Sequence, residues 1–362
     1  MLCWECVIEM MPIRKYRFRS QLAVSLAFLL SGLAAFFWIL HDNDYRAVLR
    51  LVMRVGGGLA IFVVLRGFIL TIAGLAWWRV LQSVSAVPAR VTIWLRTVGE
   101  AFNVLLPVAA VGGDIVRATL LRSHGVDAGA AAASTLVDVL LQAAAQALFM
   151  LIGVALLFLV VGTAGLAWWA AGGVGMAALA LGGFYAAQRF GGARLFERGL
   201  AWGASRWQTA AAGAAIRLDA PLQAIYADRR AVGAAFSLHE LAWLIGALET
   251  WIALRLMGMP VSASTALILE SLNQGLRSAA FPVPSGLGVQ EGGYVALGAV
   301  FGIPPQTALA LSLVKRVPDL AIGLPTLLAF YLVRMQRLLP KRFRVRTPPA
   351  TPATTPGDGP PT

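Results

Sequence analysis

Six segments of the chain are apolar over lengths that suit a membrane-crossing helix, and this feature limits the possible folds most strongly. Such a helix needs about 20 apolar residues to cross the hydrocarbon core of a bilayer. The segments are residues 21–40, 56–81, 130–161, 166–188, 231–257 and 306–333. Their apolar runs are continuous, which excludes an outer-membrane barrel with its alternating pattern. With 59% hydrophobic and 13% charged residues, a soluble fold could not cover its surface. The sequence therefore predicts an all-α polytopic membrane protein.

Two further apolar stretches, residues 91–122 and 263–303, are interrupted by proline, glycine and charge. Six crossings already place every loop on the side of the membrane that its Lys and Arg content indicates. Each interrupted stretch must therefore enter and leave the membrane on the same side. We therefore predict about six full transmembrane helices and two re-entrant broken-helix segments in a single transmembrane domain, residues 21–333.

The positive charge of the chain indicates its orientation. The net charge is +13, and the basic residues flank apolar segments, which favours contact with anionic lipid at the cytoplasmic face over nucleic-acid binding. Residues 1–20, the 189–230 connection and the start of the 334–362 tail are basic, so we expect both termini in the cytoplasm. The tail then becomes Pro/Thr-rich and is predicted to be disordered. A composition rich in Arg, Ala and Gly indicates a GC-rich bacterial genome. We therefore expect the protein in the cytoplasmic (inner) membrane of a bacterium.

Residues 91–161 and 263–333 share an order of features, which predicts an internal repeat. Each contains Pro-Val, then small residues that end in an acid, a short helix, a glycine and an Ala-rich span. The acids are Asp114 and Glu291. Because the two segments are predicted to enter from opposite sides, we expect an inverted repeat. That organisation places a binding site near the membrane midplane, between broken helices.

The stretch "FPVPSGLGVQEGG", residues 281–293, interrupts the second of these segments. Its proline and glycine residues free backbone groups that cost several kcal/mol in lipid, so the break is predicted to line a cavity. A helix that begins near Gly288 would direct its positive end at an anionic headgroup. We assign substrate binding to Pro284, Gly286, Gly288 and Glu291. Glu291 either binds a cationic group or a proton, or only stabilises the first turn of its helix.

Polar side chains elsewhere in the two segments extend the candidate site. Asp114 and Arg117 follow the first break. Glu270, Asn273 and Arg277 recur at helical spacing and share one helix face. We assign these five residues to substrate binding as well. The alternative is that they only hold helices together through hydrogen bonds, each worth under about 1 kcal/mol.

Lys315 and Arg316 lie one helical turn before Asp319, so the three are predicted to form a structural ion pair. Motifs for catalysis are scarce. His239-Glu240 begins like a zinc-protease motif, but Trp243 stands where the second histidine would be. No nucleotide-binding loop is found either. We therefore expect no catalytic residue, no metal and no cofactor.

Three motifs together resemble a known family. "LLPVAAVGGDIVRATLL", "FPVPSGLGVQEGGYVALGAVFGI" and "SLVKRVPDL" are similar to the lysylphosphatidylglycerol synthase transmembrane-region family of flippase-like membrane proteins, and closest to a hopanoid-biosynthesis-associated branch. The resemblance covers roughly residues 15–335 and implies lipid flipping. A separate soluble domain of the full-length synthases performs aminoacyl transfer, and this chain lacks it, so we expect no enzymatic activity. The first repeat reads "STLVDVLL", without the charged pair that the family pattern implies before the aspartate.

Three functions remain open on the sequence. The first is a translocase that moves an amphipathic lipid between leaflets, such as a hopanoid or an aminoacyl or polyprenyl lipid. The second is a membrane transferase that uses a polyprenyl-phosphate donor, with Asp114 or Glu291 as base. The third is a non-transporting partner of lipid-biosynthesis enzymes.

Overall fold

The computed structural model describes residues 30–34, 37–38, 41–105, 112–162, 172, 175, 182, 218–280 and 283–338. These residues form helices and short connections, with no strand among them. The helices are α1 (Tyr45–Val55), α2 (Leu59–Leu81), α3 (Ala89–Leu105), α4 (Gly112–Arg122), α5 (Ala128–Val161), α6 (Arg229–Leu256), α7 (Ala263–Ala279), α8 (Val289–Val300) and α9 (Pro305–Leu338). A further helical stretch covers residues 218–227.

Four helical segments in the described part of the chain are long and apolar enough to cross a membrane. They are Tyr45–Leu81, Ala128–Val161, Arg229–Leu256 and Pro305–Val333, and each overlaps one of the predicted spans. The predicted spans 21–40 and 166–188 lie mostly outside the described residues, so the total of six stays a prediction. Residues 30–34 are helical, and a Cβ added at Gly32 would lie 2.8 Å from the carbonyl oxygen of Leu287. This part of the first predicted span therefore packs closely against the second break.

Short polar side chains begin the long helices α5 and α6, and a glycine ends α5. The Asp127 carboxylate accepts a hydrogen bond of 2.7 Å from the Gly129 amide at the start of α5, and Asp228 accepts one of 3.0 Å from Ala231 in α6. Both satisfy amides that the first helical turn leaves free. Gly162, with a φ of 66°, closes α5 in the left-handed conformation that favours glycine.

Helices α3, α4 and α5 have the same order and nearly the same lengths as α7, α8 and α9. The lengths are 17, 11 and 34 residues in the first set and 17, 12 and 34 in the second. The packing of the two sets also corresponds. α2 packs on α3 and α9, as α6 packs on α7 and α5; α3 contacts α9, as α7 contacts α5. The two halves meet where α2 packs on α6.

Two apolar clusters define the ends of this bundle. At one end, which we call the α1 end, Val55 of α1 packs with Leu157 near the end of α5, Leu254 near the end of α6 and Ala308 near the start of α9. At the other end, the α4 end, Leu81, Leu95 and Leu121 pack with Ala130 near the start of α5. The end of α2 and the starts of α3 and α5 therefore lie together, away from α1.

The two breaks differ in how far the structure describes them. The first, residues 106–111, lies outside the described residues. The second contains a short 3₁₀ turn, Pro284–Gly286, and α8 begins after it at Val289. Ser285, Gly286 and Gly288 all have positive φ, at 55°, 57° and 77°. Two of these three positions are glycine, which adopts such φ values without steric cost.

Candidate functional site

A cavity of about 90 Å³ lies in the middle of the bundle, between the two sets of helices. Its ionisable side chains come from α2, α3, α6, α7 and α9: Arg66, Arg96, Glu100, His239, Glu249, Glu270, Arg277, Lys315 and Asp319. Charged groups are costly within a membrane and mark functional sites there. So many of them around one cavity indicate a site for a polar ligand.

Lys315 of α9 is the centre of one buried polar cluster beside the cavity. Its Nζ lies 2.7 Å from Glu270 Oε2 on α7 and 3.4 Å from Glu249 Oε2 on α6. The hydroxyls of Thr250 and Tyr294 donate to the same Glu270 oxygen at 2.6 and 2.7 Å. Glu270 is 2% exposed. Its partners therefore compensate the carboxylate for the water that burial removes.

Asp138 of α5 is the centre of a second buried cluster. Its Oδ2 accepts from Arg96 Nη1 at 3.1 Å and from Arg117 Nη1 at 2.7 Å. Its Oδ1 lies 2.9 Å from His239 Nε2. The fully buried Arg117 also donates to Asp114 at 2.8 Å, and its guanidinium lies 4.6 Å from the centre of the Trp77 ring. These contacts fix Arg117 as a link between α4 and α5.

The two clusters occupy equivalent positions with opposite charge. Asp138 and Lys315 are both the eleventh residue of a 34-residue helix. Their partners Arg96 and Glu270 are both the eighth residue of a 17-residue helix. The sequence "STLVDVLL" therefore keeps an ion pair in the first repeat. In the first repeat the long helix α5 carries the negative charge, Asp138, and α3 and α4 supply the cations, whereas in the second repeat the long helix α9 carries the positive charge, Lys315.

The structure corrects the predicted ion pair within α9. Lys315 binds the glutamates of α6 and α7, Arg316 binds Glu291 of α8 at 2.8 Å, and Asp319 binds Arg66 of α2. Each charge therefore pairs with another helix and not with its neighbour one turn away. The physical reason is packing, because the neighbouring helices place opposite charges where water is excluded.

Glu291 holds the second break in place. It is 0% exposed. Its Oε2 accepts from the Gly288 amide at 2.8 Å, and its Oε1 accepts from Ser312 and Arg316, both at 2.8 Å. The Ser285 hydroxyl donates to the carbonyl oxygen of Val104 on α3, which joins the break to the first repeat. The Glu291 carboxylate therefore caps the start of α8 and pairs with Arg316, and it does not line the cavity.

The predicted site residues divide between the cavity and the packing around it. Glu270 and Arg277 line the cavity, as do Lys315 and Asp319 from the predicted ion pair. The others do not: Asp114, Arg117, Asn273, Gly286, Gly288, Glu291 and Arg316. Of Pro284 only the backbone is described. Gly286 lies behind the cavity wall, since a Cβ there would lie 3.3 Å from Arg277 Cγ.

Asn273 lies at the crossing of α7 and α8. It is 1% exposed, and a Cβ at Gly293 would lie 2.2 Å from its Oδ1. Neither polar atom of its amide has a hydrogen-bond partner among the described residues. Asn273 therefore fills the close contact between these helices and does not face the cavity.

One comparison with known proteins succeeded. The family model described as "Lysylphosphatidylglycerol synthase TM region" matches residues 22–326, which is well over half of the chain. The chain belongs to this family. Membership indicates a membrane protein with a lipid-related function. Neither the curated proteins nor the solved structures contain a significant match to this chain.

Two residues that line the cavity of this family member, Glu249 and His239, are not among the site residues predicted from the sequence. His239 was considered there only as part of a zinc motif. Both are ionisable residues inside a predicted span, 231–257, which is itself a signal for a functional position. Within the described parts of the chain, no group of three or more His, Cys, Asp or Glu could hold a metal ion.

Two charged side chains of the cavity form no direct ion pair with the described residues. Glu100 of α3 and Arg277 of α7 line it, and neither forms an ion pair or a hydrogen bond with the described residues. The other charged side chains of the wall have ion-pair partners. Arg66 pairs with Asp319, and Lys315 pairs with Glu249 and Glu270. Arg96 pairs with Asp138, which does not line the cavity. Glu100 and Arg277 are therefore the charges available to a ligand of this cavity.

Proposed function

We propose that this protein is a lipid translocase, which moves an amphipathic lipid between membrane leaflets while the lipid headgroup occupies the central cavity. The observation that carries the proposal is the charged cavity itself. It lies between two similar sets of helices in a member of a lipid-related membrane family. A headgroup needs such a polar site to cross an apolar layer.

The arrangement of helices supports an inverted repeat. α3 starts at the α4 end and α7 follows α6 at the α1 end. The α3–α4 and α7–α8 hairpins would then enter from opposite sides of the membrane. Such repeats place the substrate near the midplane and can expose it to either side in turn.

Arg277 and Glu100 favour a headgroup that contains both an anionic and a cationic group. Arg277 suits a phosphate, since a guanidinium can donate two parallel hydrogen bonds to it. Glu100 suits an ammonium. An aminoacyl lipid carries both groups, whereas a polyprenyl phosphate has no cationic group and a hopanoid has no phosphate, so each would leave at least one charge unused. Aminoacyl lipids are therefore our first choice among the three classes.

The charge distribution supports a cytoplasmic α4 end in a bacterial inner membrane. Arg79, Arg90 and Arg122 lie at that end, and the described end of the arginine-rich connection 189–230 reaches it, since Ser83 after α2 donates to Asp228. Both termini would be cytoplasmic, and anionic lipid would bind there. The bias is incomplete, since α1 carries three arginines at the opposite end.

A transferase mechanism finds less support. Its candidate bases, Asp114 and Glu291, are both engaged with arginines, Arg117 and Arg316. We therefore propose a protein without enzymatic activity that can act beside lipid-biosynthesis enzymes.

Purified protein in vesicles tests the proposal. The vesicles contain phosphatidylglycerol and phosphatidylethanolamine with a trace of fluorescent lipid in both leaflets, and an impermeant reductant quenches the outer leaflet. We expect faster loss of the protected signal than in protein-free vesicles. No acceleration with fluorescent lysyl-phosphatidylglycerol, phosphatidylethanolamine or polyprenyl phosphate would refute the proposal.

A further inference from the structure

Glu249 of α6 is a carboxylate in the wall of the cavity whose partners do not fully satisfy it. Its side chain is 3% exposed. Its Oε1 has no hydrogen-bond partner in the described part of the chain, and its Oε2 lies 3.4 Å from Lys315 Nζ. A charge-assisted hydrogen bond between an ammonium and a carboxylate is shorter, at about 2.7–2.9 Å. Lys315 therefore compensates the charge of Glu249 only weakly.

The donors of Lys315 are already engaged elsewhere. Its Nζ donates to Glu270 Oε2 at 2.7 Å, to the Thr250 hydroxyl at 3.0 Å and to the carbonyl oxygen of Gly246 at 3.3 Å. An ammonium group has three N–H donors, and these three acceptors can use all of them. Lys315 is therefore held by Glu270 and its neighbours, and Glu249 stands beside a cation that is already bonded.

The charges around Lys315 do not balance. It faces two carboxylates, Glu249 and Glu270, and the other charges that act on Glu249, Arg66 of α2 and Asp319 of α9, pair with each other. Among these charges one negative charge is left over. The cluster of the first repeat has two carboxylates and two guanidiniums beside the ring of His239: Asp114, Asp138, Arg96 and Arg117. An uncompensated buried charge is costly, and a proton on Glu249 would remove it.

The other half of the bundle holds its equivalent position without a carboxylate. The Trp78 indole of α2 donates to the carbonyl oxygen two residues before α3, at 2.9 Å, as the Trp251 indole of α6 donates to the one two residues before α7, at 3.1 Å. These matching contacts align α2 with α6, so that the fully buried Ala76 corresponds to Glu249. Glu249 is therefore an acid that the second half carries in addition to the ion pair that both repeats share.

Glu249 is also placed where a proton can reach it. The cavity of about 90 Å³ that it lines is polar and has room for water, which can carry protons to and from the carboxylate. Ionisable side chains at such positions within a membrane serve as proton relays in pumps and transporters.

We propose that Glu249 takes up a proton from the cavity and releases it there, and that this exchange couples lipid translocation to a proton gradient. With its proton, Glu249 leaves Lys315 to Glu270, which is the arrangement in the structure. Without the proton, two carboxylates compete for one ammonium, which weakens the bond between α9 and α7. The coupling rests on the proposed function, whereas the proton site does not.

Infrared difference spectroscopy tests the proton site without lipid transport. The purified protein, in vesicles of phosphatidylglycerol and phosphatidylethanolamine, is titrated with acid in H₂O and D₂O. The carbonyl stretch of a protonated carboxyl is separate from the amide bands and shifts in D₂O. We expect this band to grow as the pH falls and Glu249→Gln to lose part of it. The matched control Glu100→Gln removes another carboxylate of the same wall and should keep that part.

Glu249→Gln should fold, because Lys315 keeps its bond to Glu270. Thermal unfolding in detergent checks this, and Glu249→Met serves where the glutamine variant does not fold. A band that is the same in the wild type and in the folded variant would overturn the proton site, as would the absence of any such band in the wild type.

Leaflet exchange under a pH gradient tests the coupling. Valinomycin with equal potassium on both sides holds the membrane potential at zero, and the probes are fluorescent phosphatidylethanolamine, lysyl-phosphatidylglycerol and polyprenyl phosphate. With one coupled proton, about one pH unit can bias the lipid between leaflets up to about tenfold. Glu249→Gln should lose this bias.

The two measurements separate the proton site from the proposed function. A titrating band with exchange that ignores the gradient overturns the coupling. The band without any exchange in the wild type supports the proton site and refutes the translocase. Exchange without the band overturns the proton site and leaves the translocase.

Discussion

Asp138 and Lys315 occupy the same position of two 34-residue helices and carry opposite charges. Asp138 is fully buried and the Lys315 side chain is 9% exposed, and each pairs with a side chain of opposite sign, Arg96 or Glu270, from a matching position of a shorter helix. The sixth residue of α4 and of α8 adds a further contact: Arg117 binds Asp138 on the long helix, and Tyr294 binds Glu270 on the short helix. The two repeats therefore keep an ion pair at one position and exchange its charges.

Asp138→Asn should destabilise the protein strongly. The change leaves the buried guanidinium of Arg96 without its counter-charge and Arg117 with Asp114 alone, and a stranded buried charge costs about 3–5 kcal/mol. The matched control is Asp114→Asn, because Asp114 pairs with the same Arg117 but is 24% exposed. A loss under about 1 kcal/mol is expected there. Thermal unfolding in detergent compares them, and equal losses would contradict this assignment.

Lys315→Met should also lower stability, and a second change should restore part of it. The methionine leaves Glu270 and Glu249 as neighbouring carboxylates with no cation between them. Adding Glu270→Gln removes one of the two charges, so the double variant should be more stable than Lys315→Met alone. The amount of folded protein in the membrane and its unfolding temperature measure this. A double variant with the summed loss of both single variants would show that the pair is not coupled.

Local signals in the sequence predicted the helices and the second break, while the pairing of charges depends on packing between distant segments. Proline and glycine in an apolar stretch mark a break wherever they occur, and 281–293 is such a stretch. No local signal joins Arg96 to Asp138, since 42 residues separate them. Lys315 and Asp319 seemed matched by their spacing, but the bundle brings Glu270 and Arg66 to them from α7 and α2.

Glu291→Gln should weaken the protein and leave lipid exchange near normal in the folded fraction. The amide oxygen can still accept from Gly288, but Arg316, with a side chain 18% exposed, loses its counter-charge. We expect a loss of about 1–3 kcal/mol. Arg316→Gln should cost a similar amount, and the double variant less than the sum. A Glu291→Gln protein of normal stability without exchange would show that the carboxylate meets the ligand after all.

Arg277→Gln and Glu100→Gln should reduce lipid exchange without destabilising the protein. Neither side chain forms an ion pair or hydrogen bond with described residues, so no partner is stranded, whereas both line the cavity. We expect exchange to fall about tenfold, as for the loss of one charge-assisted hydrogen bond of about 1.4 kcal/mol. Arg277→Gln should act on lipids with a phosphate, and Glu100→Gln on lipids with an ammonium. The control is Arg50→Gln on the exposed surface of α1, and an equal fall there would count against the site.

Single cysteines test the opposite orientation of the two hairpins. Ser123 follows α4 and Pro304 precedes α9; both are exposed, and neither has the positive φ found at the neighbouring Gly125 and Gly302. Cys3 and Cys6 are replaced by serine beforehand. An impermeant thiol reagent on intact cells should label Pro304→Cys and not Ser123→Cys, because the α4 end is expected in the cytoplasm. After permeabilisation both should react, which shows that Ser123→Cys is accessible. Labelling of both in intact cells would exclude the inverted repeat, and labelling of Ser123→Cys alone would keep it and reverse the orientation.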